Sequence, residues 1–375
     1  MNYDTENNNH STLLLSGDVM TGRGIDQVLK YTSDPDLHER YIKNAKRYVE
    51  LAERKSGSIS QPVSNEYIWG DALEVIDKIN PVLRIVNLET AITTSNNFWR
   101  GKGIHYRMHP GNIPVLKAAG IDIAVIANNH ILDWGYDGLM ETVQTLNSNE
   151  ISCAGAGANN ESASEPAVYE TGTGRILVFS YAAADAGIMP DWKAATGKAG
   201  VNLLPRLSSK RFEKVKSDVE KFRKRRDRII ISLHWGGNWG YNVSADDRKF
   251  AHRLIESGHA DLIHGHSSHH PKALEVHHGH LIIYGCGDLI NDYEGIQGHE
   301  KYRGDLSLLY FPKLNSIGKL VSLTLKPFKI NRFRLERTRL RDRDWMAGCL
   351  NREYEKFGSR IEQNAEGSFE LQWKM

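Results

Sequence analysis

The chain has 375 residues and a mass of 42.3 kDa, of which 40% are hydrophobic and 25% are charged. This composition is ordinary for a globular protein with a sizeable core, and it excludes a disordered chain, a collagen and a coiled coil. Forty-eight basic and 46 acidic residues leave a net charge of +2 with histidine neutral, so no overall field favours nucleic acid or a membrane surface.

Three scattered cysteines are too few for a disulfide framework and predict reduced thiols: Cys153, Cys286 and Cys349. The first ten residues are polar and lack the basic start and apolar stretch of a secretory signal. Nowhere do eighteen apolar residues run together, so no membrane span is predicted. These features predict a cytoplasmic protein.

Short apolar runs alternate with helical periodicity, which predicts an α/β fold. In chain order, the predicted strands are Thr12–Ser16, Leu83–Asn87, Ile121–Ala127, Ile176–Ser180, Arg228–Leu233, Asp261–Ile263, Leu281–Tyr284 and Val321–Leu325. Most of these runs are apolar throughout, as expected for strands that are covered on both faces.

Helices are predicted between these strands from apolar spacing and end signals. Pro114 and Gly120 bound a short helix over Ile113–Ala119, and Ser244 with Asp247 forms a capping pattern for a helix that ends near Gly258. Apolar residues at helical spacing mark three further helices: Leu139, Val143 and Leu146; Phe212, Val215, Val219 and Phe222; Met346, Leu350 and Phe357.

The sequence contains no internal repeat and no low-complexity linker, although its texture changes after Lys319. We therefore predict one main domain over residues 1–330. Residues 331–375 are expected to form a strand and helix extension that packs on the same fold.

Polar segments follow the predicted buried strands, and this placement is the main functional signal. The segments are Gly17–Met20, Asn87–Glu89, Ala127–His130, Leu233–Gly236, His264–His270 and Gly285–Asp288. In an open α/β sheet the carboxyl ends of the strands line one edge, where sites form. Carboxylate, amide and imidazole groups that meet there favour a divalent ion such as Mn²⁺, Fe²⁺ or Zn²⁺.

Each segment taken alone also has a structural interpretation. Asp18 suits a turn, Glu89 a backbone acceptor, Asn129 a left-handed turn and His234 a packed core position. The four histidines within His264–His270 have little structural use, and they favour a ligand or catalytic role.

The motifs GDVM, NLE, ANNH-x-x-D-x-G, LHWG and GHSSHHP, in this order, resemble the CapA family of capsule and poly-γ-glutamate biosynthesis proteins. The resemblance runs from about residue 12 to 312. It implies the calcineurin-like metallophosphoesterase fold, a four-layer α/β/β/α sandwich, with a centre for one or two divalent metal ions at the carboxyl edge.

The resemblance also implies roles for particular residues. The metal ligands would be Asp18, Glu89, Asn129, His234, His266 and His269. His130 would be the general acid towards the leaving oxygen. From the residues themselves, Asp133 is a candidate to hold His130, with a helix N-cap as the alternative. His264 and Asp288 are candidates to orient the ligating side chains.

Two departures from the family pattern concern the metal centre. Met20 stands where the usual Asp-x-His motif has histidine, and a thioether is a poor ligand for such ions. The paired histidines His266 and His269 are also separated by one extra residue, which leaves open whether His264 or His270 substitutes.

Substrate contacts are predicted on the loop between the second and third strands. Arg107 offers a planar fork for carboxylate or phosphate, with His105 beside it, and a surface cation is the alternative. Trp235, Trp239 and Tyr241 either wall the site or pack beneath the loop. The basic run 221–228 is interpreted as a solvated face rather than a nucleic-acid surface.

These observations predict a divalent-metal-dependent hydrolase that cleaves phosphomonoesters or diesters with a metal-activated water. The expected substrate is a small molecule or a short anionic polymer. Two alternatives remain open: a non-hydrolytic accessory protein of poly-γ-glutamate or capsule biosynthesis, and a metal-dependent enzyme that acts on γ-glutamyl amide bonds.

Overall fold

The computed structural model describes residues 10–172, 174–205 and 208–374. The α-helices of this part of the chain are α1 (Gly24–Val28), α2 (Lys46–Ser56), α3 (Ala72–Ile79), α4 (Pro114–Ala118), α5 (Gly135–Ser148), α6 (Asn160–Ser164), α7 (Ser208–Phe222), α8 (Ala245–Glu256) and α9 (Leu340–Tyr354).

Strands in the first half of the chain are β1 (Ser11–Val19), β2 (Leu83–Leu88), β3 (Ala91–Ile92), β4 (Arg107–Met108), β5 (Ile123–Val125), β6 (Ser152–Ala154), β7 (Ala156–Gly157), β8 (Ala167–Thr171), β9 (Gly174–Ala182) and β10 (Gly200–Val201). Those that follow are β11 (Arg228–His234), β12 (Leu262–His266), β13 (Leu274–His277), β14 (His280–Ile283), β15 (Asp288–Ile290), β16 (Leu306–Leu314), β17 (Leu320–Asn331), β18 (Arg334–Arg337), β19 (Ser359–Gln363) and β20 (Phe369–Trp373).

The strands form two large sheets. The larger sheet has the order β19-β20-β17-β16-β1-β2-β5-β6, with β15 beside β1 and β18 beside β17. Its β1, β2, β5, β6 and β15 run parallel, whereas β16 to β20 pair antiparallel. The smaller sheet has the order β13-β14-β12-β11-β9-β8, and its four inner strands run parallel.

Three hydrophobic clusters separate four layers. Leu13 and Leu15 of β1 face Val178 and Ile230 of the smaller sheet, whereas Leu14 faces the helices on the other side. Beyond the smaller sheet, β9 and β11 pack against α7 and α8. The molecule is therefore an α/β/β/α sandwich, which confirms the predicted fold class, and its inner strands are apolar throughout because both faces are covered.

The predicted stripe on α7 faces the core. Phe212, Val215 and Val219 are buried against the smaller sheet, and Phe222 packs beside them partly buried. Ser244 is the N-cap of α8 and accepts a hydrogen bond from the Asp247 backbone. Helical periodicity and the capping pattern therefore predicted both helices that cover this sheet.

Several strands differ in extent from the prediction. β1 continues through Asp18 to Val19, and β12 continues through His264 to His266, so that these three predicted site residues lie inside strands. β5 is confined to Ile123–Val125. The chain after β5 therefore leaves the sheet before it reaches the predicted site residues.

The last part of the chain adds strands and a helix to the sandwich. β20 pairs with β17, and Met346, Leu350 and Phe369 lie in the cluster between the two sheets. The proposed division after residue 330 falls at the last residue of β17, and it stays a prediction. No helix of the described residues combines the length and apolar character that a bilayer crossing demands.

Candidate metal centre

Asp18 reaches the edge of the larger sheet through an unusually close approach of two strands. It lies opposite Asp288 in the β1–β15 pair, and its backbone N–H donates to Gly287 O at 3.1 Å. A Cβ at the preceding Gly17 would lie 1.7 Å from the same Gly287 oxygen. Only glycine allows this approach, which brings the two carboxylates together.

The smaller sheet contributes histidines from two neighbouring strands. His234 and His266 are register partners at the ends of β11 and β12, and their Nδ1 atoms lie 2.9 Å apart. Both side chains are buried, as are the histidines that follow β12. Ser267, which directly follows His266, has φ +98°. This is a strained backbone conformation for a residue with a side chain, and such strain is common at functional sites.

The two sheet edges meet at Asp18. Its carboxylate, His234 and His266 have ligand atoms that all lie within 4.8 Å of one another, and so do Asp18, His269 and Asp288. Asn129 Oδ1 lies 3.1 Å from His234 Nε2. The structure therefore places two candidate cation positions side by side, with Asp18 shared between them.

Glu89 joins this cluster through an amide. Asn87 Nδ2 donates to Asp18 Oδ1 at 2.8 Å and to Glu89 Oε2 at 3.1 Å. Asn128 in turn donates to Asn87 Oδ1 at 3.1 Å and to the Leu88 carbonyl at 2.8 Å. The two asparagines fix the orientation of both carboxylates.

The electrostatics of the cluster favour a bound cation. Burial, followed by the charge of Asp288, raises the pKa of Asp18 to about 7. Burial and the charge of Asp18 raise the pKa of Glu89, whereas burial lowers the pKa of His234 and that of His266. Burial makes it costly to ionise these acids and to protonate these imidazoles. A cation between them would stabilise the carboxylate form of the acids and the neutral form of the imidazoles, which are the forms that bind metal.

One atom shows the fit directly. Asp18 Oδ2 is buried and has no hydrogen-bond partner among the described residues. A buried carboxylate oxygen without a partner costs free energy, and such a group calls for a ligand. Carboxylate, amide oxygen and imidazole are donors that suit Mn²⁺, Fe²⁺ and Zn²⁺, so the residues present fit a divalent ion.

His130 lies beside the cluster and is held on its far side. Its Nε2 is 3.8 Å from Glu89 Oε1, and its Nδ1 is 2.7 Å from Asp133 Oδ2. Asp133 also accepts from the Tyr106 backbone N–H at 2.7 Å, whereas the N-cap position of α5 belongs to Trp134. Asp133 therefore holds His130 and makes no capping hydrogen bond.

Lys102 completes the surroundings of His130, and sequence reasoning missed it. Its ammonium donates to Asp133 Oδ1 and to the Asn129 carbonyl, and its Nζ lies 2.9 Å from His130 Nδ1. Burial, together with the charge of Lys102, lowers the pKa of His130 to about 4, although Asp133 opposes this change. His130 is therefore neutral at neutral pH.

A buried arginine behind the cluster was also missed. The Arg23 guanidinium binds Asp292 through two nitrogens and Glu39 through a third contact, and it lies over the rings of Tyr48 and Tyr106. It has φ +48°. This network joins the chain after β1 to the segment after β15 and supports the wall of the site.

The side chain of Met20 contacts Tyr293, a residue next to the candidate centre. Its side chain is fully buried, and its sulfur lies 3.8 Å from the Tyr293 hydroxyl. Tyr293 packs edge-on against His269, whose Nδ1 lies 2.8 Å from Asp288 Oδ1. The candidate cation position that has no histidine at residue 20 is therefore still surrounded by Asp18, His269 and Asp288.

The other candidate histidines point elsewhere. His264 lies 2.8 Å from the Ser16 carbonyl through Nε2 and 3.2 Å from Ser232 Oγ through Nδ1. His270 accepts from the Gly240 N–H at 3.1 Å. Neither belongs to the two candidate cation groups that share Asp18.

The predicted substrate residues Arg107 and His105 are largely buried beside the site. Arg107 donates to the Ser95 carbonyl at 2.7 Å and to the Asn96 side chain at 2.8 Å, and its guanidinium lies over Trp134. His105 Nε2 lies 2.9 Å from the Trp99 carbonyl. Their role in binding substrate stays a prediction.

Trp235 and Trp239 were predicted either to wall the site or to pack beneath the loop, and the structure places them differently. Trp235 is buried and stacks on Tyr284, with ring centroids 5.9 Å apart, so it packs beneath its loop. Trp239 is partly exposed and lies 5.3 Å from the His269 ring, so it borders the candidate centre. Both interpretations of this aromatic segment therefore hold, each for a different residue.

Comparisons with known proteins find similar sequences among proteins of capsule and polymer synthesis. The sequence profile of the family described as "Bacterial capsule synthesis protein PGA_cap" matches residues 12–293. A "Probable polyglutamine synthesis accessory protein" of Mycobacterium tuberculosis is 42% identical over 93% of this chain and 93% of its own length. The "PGA biosynthesis protein CapA" of Bacillus subtilis is 22% identical over 82% of this chain and 76% of its own length.

Among solved structures, a 5'-nucleotidase precursor from Thermus thermophilus matches with a TM-score of 0.43 at 13% identity. The match covers 85% of this chain and 54% of that chain, so this chain spans about half of the larger protein.

Proposed function

The chain belongs to the bacterial capsule synthesis protein family PGA_cap, and we propose that it is a divalent-metal-dependent hydrolase of phosphoesters. One observation carries the proposal. Side chains from the ends of strands in both sheets converge on the buried carboxylate of Asp18, whose Oδ2 has no hydrogen-bond partner among the described residues. A purely structural core has no use for so many buried acids and imidazoles around a single oxygen.

The ligand set in this proposal is Asp18, Glu89, Asn129, His234, His266 and His269. One or two ions of Mn²⁺, Fe²⁺ or Zn²⁺ would be held there. A bound ion supplies Lewis acidity that polarises a phosphoryl oxygen and activates a water near neutral pH.

His130 is the proton donor to the leaving oxygen in this proposal. Its Nε2 points towards Glu89 and the centre, and Asp133 together with Lys102 fixes the ring from the Nδ1 side. His130 donates a proton only when both ring nitrogens carry one, and a bound phosphoester anion would favour this form against the burial and the Lys102 charge that lower its pKa. The proton on Nε2 would then be directed at a substrate oxygen that lies between His130 and the cluster. The protein surroundings exclude bulk water from this ring, since it is almost fully buried.

The substrates in this proposal are small or polymeric anions, and the location is the cytoplasm. Support for an anion comes from the charge of the proposed divalent ion or ions, which would attract a phosphoryl group to the centre.

Metal analysis followed by phosphatase assays tests the proposal. The purified chain is expected to contain a divalent ion and, with Mn²⁺, to hydrolyse para-nitrophenyl phosphate or bis(para-nitrophenyl) phosphate. Asp18→Asn removes the shared carboxylate charge and should abolish both metal binding and turnover. Asp246→Asn makes the same change at an exposed site on α8 and should leave both unchanged.

A second candidate function is that of a non-catalytic accessory protein, which is the role named for the Mycobacterium tuberculosis relative. Retained metal with no turnover of either phosphoester would contradict the hydrolase proposal. Release of glutamate from a γ-glutamyl peptide under the same conditions would then favour an amide-cleaving enzyme, and no release would favour the accessory role.

A further inference from the structure

A second cavity lies at the carboxyl edge of the smaller sheet and shares no lining residue with the candidate metal centre. It has a volume of about 230 Å³ and is enclosed by the loops after β9 and β11 and by the start of α8. The residues that line it are Asp185, Trp235, Gly236, Gly237, Asn242, Val243, Ser244, Asp247, Lys272 and Tyr284. Pockets for drug-sized ligands are larger, about 300–1,000 Å³, so this one suits a small metabolite.

Lys272 is the unusual residue of this cavity. Only 6% of it is exposed, yet its ammonium makes a single hydrogen bond among the described residues, a long one of 3.4 Å to the Gly237 carbonyl. An ammonium has three N–H donors, so two of them have no acceptor among the described residues. Burial lowers the pKa of Lys272, as expected for a charge that lacks a close partner.

Two neighbouring features reserve space for an anion beside this ammonium. Gly236 has φ +71°, and a Cβ at this position would lie 3.5 Å from Lys272 Nζ, so the glycine keeps the approach to the ammonium open. Ser244 caps α8, and the positive end of this twelve-residue helix faces the same cavity.

Two carboxylates, of Asp185 and Asp247, also line the cavity and make it bipolar. Asp185 is exposed at its mouth and accepts one hydrogen bond, from the Gly236 N–H at 3.3 Å, which leaves its other oxygen for a ligand. Asp247 is engaged by Ser244 and by Arg211. Neither acid forms an ion pair with Lys272 within 4.0 Å among the described residues. A buried ammonium without an ion-pair partner and an accessible carboxylate therefore line the same cavity, and the charge of Asp185 acts on Lys272.

The floor between these charges is apolar. Trp235 and Tyr284 stack with their ring planes 15° apart, and Val243 lies at the rim. Such a floor suits the aliphatic part of a small ligand, whereas a bare inorganic anion would meet two carboxylates without using it.

We propose that this cavity binds a small zwitterion of the α-amino acid class, with its carboxylate on Lys272 and its ammonium on Asp185. A simple anion lacks the group that Asp185 would pair with, and a simple cation would be repelled by Lys272. The inference does not depend on hydrolase activity, because it rests on a different set of side chains.

Isothermal titration of the full chain tests this inference, with L-glutamate, L-glutamine and L-alanine as probes. Succinate lacks the ammonium, butylamine lacks the carboxylate, and inorganic phosphate lacks both the ammonium and an aliphatic part. At least one amino acid should bind at least tenfold more tightly than each of these three. The titrations are made with and without Mn²⁺, so the result is independent of the metal centre.

Variants connect binding to the proposed contacts. Lys272→Met keeps the length of the side chain and should weaken amino acid binding at least tenfold, and Asp185→Asn should weaken it while leaving the fold intact because Asp185 is exposed. Lys301→Met, at an exposed lysine elsewhere, is the control. The inference is wrong if no amino acid binds, if phosphate or succinate binds as tightly, or if Asp185→Asn has no effect. Thermal melting of each variant identifies any loss that comes from unfolding.

Discussion

Asp18 is the residue on which both candidate cation positions depend. It belongs to the Asp18–His234–His266 group and to the Asp18–His269–Asp288 group, and its Oδ2 has no protein partner among the described residues. The charge of a single buried carboxylate therefore couples two positions that otherwise use different side chains. Removing that charge should have a wider effect than removing any one histidine.

Metal titration of two variants checks this coupling. Asp18→Asn is expected to weaken Mn²⁺ binding at every position, because both groups lose their common carboxylate. His269→Ala is expected to leave the Asp18–His234–His266 group able to bind one ion. Stoichiometry from elemental analysis distinguishes the two, and equal losses in both variants would contradict a shared carboxylate.

His130→Ala is expected to lower phosphoester turnover by roughly 10²-fold or more, because a positioned general acid typically contributes 10²–10⁴-fold. Metal content should remain, since the nearest approach of His130 to the acids of the centre is 3.8 Å, to Glu89. Steady-state kinetics and elemental analysis of the same sample give both values. Metal lost together with activity would show that His130 is a ligand instead.

Arg23→Ala is expected to lower the free energy of unfolding by about 3–5 kcal/mol, because it leaves the buried Asp292 carboxylate without its cation. Urea denaturation measures the change. Arg40→Ala, at an exposed position nearby in the chain, should change it by about 0.5 kcal/mol or less. A loss below 1 kcal/mol at Arg23 would show that Asp292 finds another partner.

Residues that follow buried strands were accessible to sequence reasoning, whereas those that support them were not. Asp18, His234 and His266 each belong to a polar segment at the end of an apolar run, and the structure brings them together. Arg23 pairs with Asp292, 269 positions away, and no local pattern indicates such a partner. Lys102 lies in a Gly-Lys-Gly segment that is typical of any surface turn.

At the scale of elements, the cavity beside Lys272 depends on the register of the neighbouring strands β9 and β11. β9 and β11 are parallel neighbours over the full length of β11, and the loops that follow them line the cavity beside Lys272. At their opposite ends, Arg175 of β9 binds the Asp227 carboxylate that precedes β11, through two nitrogens. This ion pair fixes the starting points of the two strands.

Asp227→Asn is expected to destabilise the protein by about 1–3 kcal/mol at pH 7. The change removes the negative charge from the hydrogen bonds that the Asp227 carboxylate accepts from Arg175 and from the Lys224 backbone. Burial opposes the charge of Asp227, but hydrogen bonds from Arg175 and the Lys224 backbone outweigh it and lower its pKa. A lowered folded-state pKa gives stability that is complete above the unfolded value, about 3.9, and is lost as the pH falls through the folded value.

Unfolding free energies measured between pH 7 and pH 2 therefore provide the readout. The difference between wild type and Asp227→Asn should stay constant down to about pH 5 and then shrink as the carboxyl becomes protonated. Asp246→Asn, at an exposed acid, serves as the matched control. A difference that is independent of pH would mean that shape rather than charge explains the effect.

Elements with strong periodicity were predicted well, and those fixed by distant partners were not. α7 and β11 follow directly from their apolar patterns. β16 was not predicted, although it is buried along most of its length, because its place between β1 and β17 is set by pairing with both rather than by local spacing. Register and strand order are properties of the whole sheet, which a local pattern does not contain.

For the whole molecule, the space between the two sheets is filled from both ends of the chain. Leu13 and Leu15 from β1 share one hydrophobic cluster with Tyr354 from α9 and Phe369 from β20. The final segment therefore helps to cover the same core as the first strand. Its removal would expose apolar surface of both sheets.

Phe369→Ala is expected to lower the free energy of unfolding by about 3–5 kcal/mol, since the side chain is fully buried in this shared cluster. Denaturant unfolding followed by both fluorescence and circular dichroism should show one transition for both probes. Ile317→Ala, at a residue that is 64% exposed, should have little effect. A separate early transition for the variant would show that residues 331–375 unfold as an independent unit.

The joining of the two sheet edges at Asp18 sets an order of events during biosynthesis. Asp18 lies in the first strand, whereas His266, His269 and Asp288 are translated about 250 to 270 positions later. A nascent chain that is still attached to the ribosome before β15 emerges holds an incomplete set of donors. Binding of the proposed ion at the Asp18–His234–His266 group would therefore follow translation of His266, and at the Asp18–His269–Asp288 group translation of Asp288. Fragments that stop before His266 are expected to retain no ion, and those that stop between His266 and β15 to retain at most one.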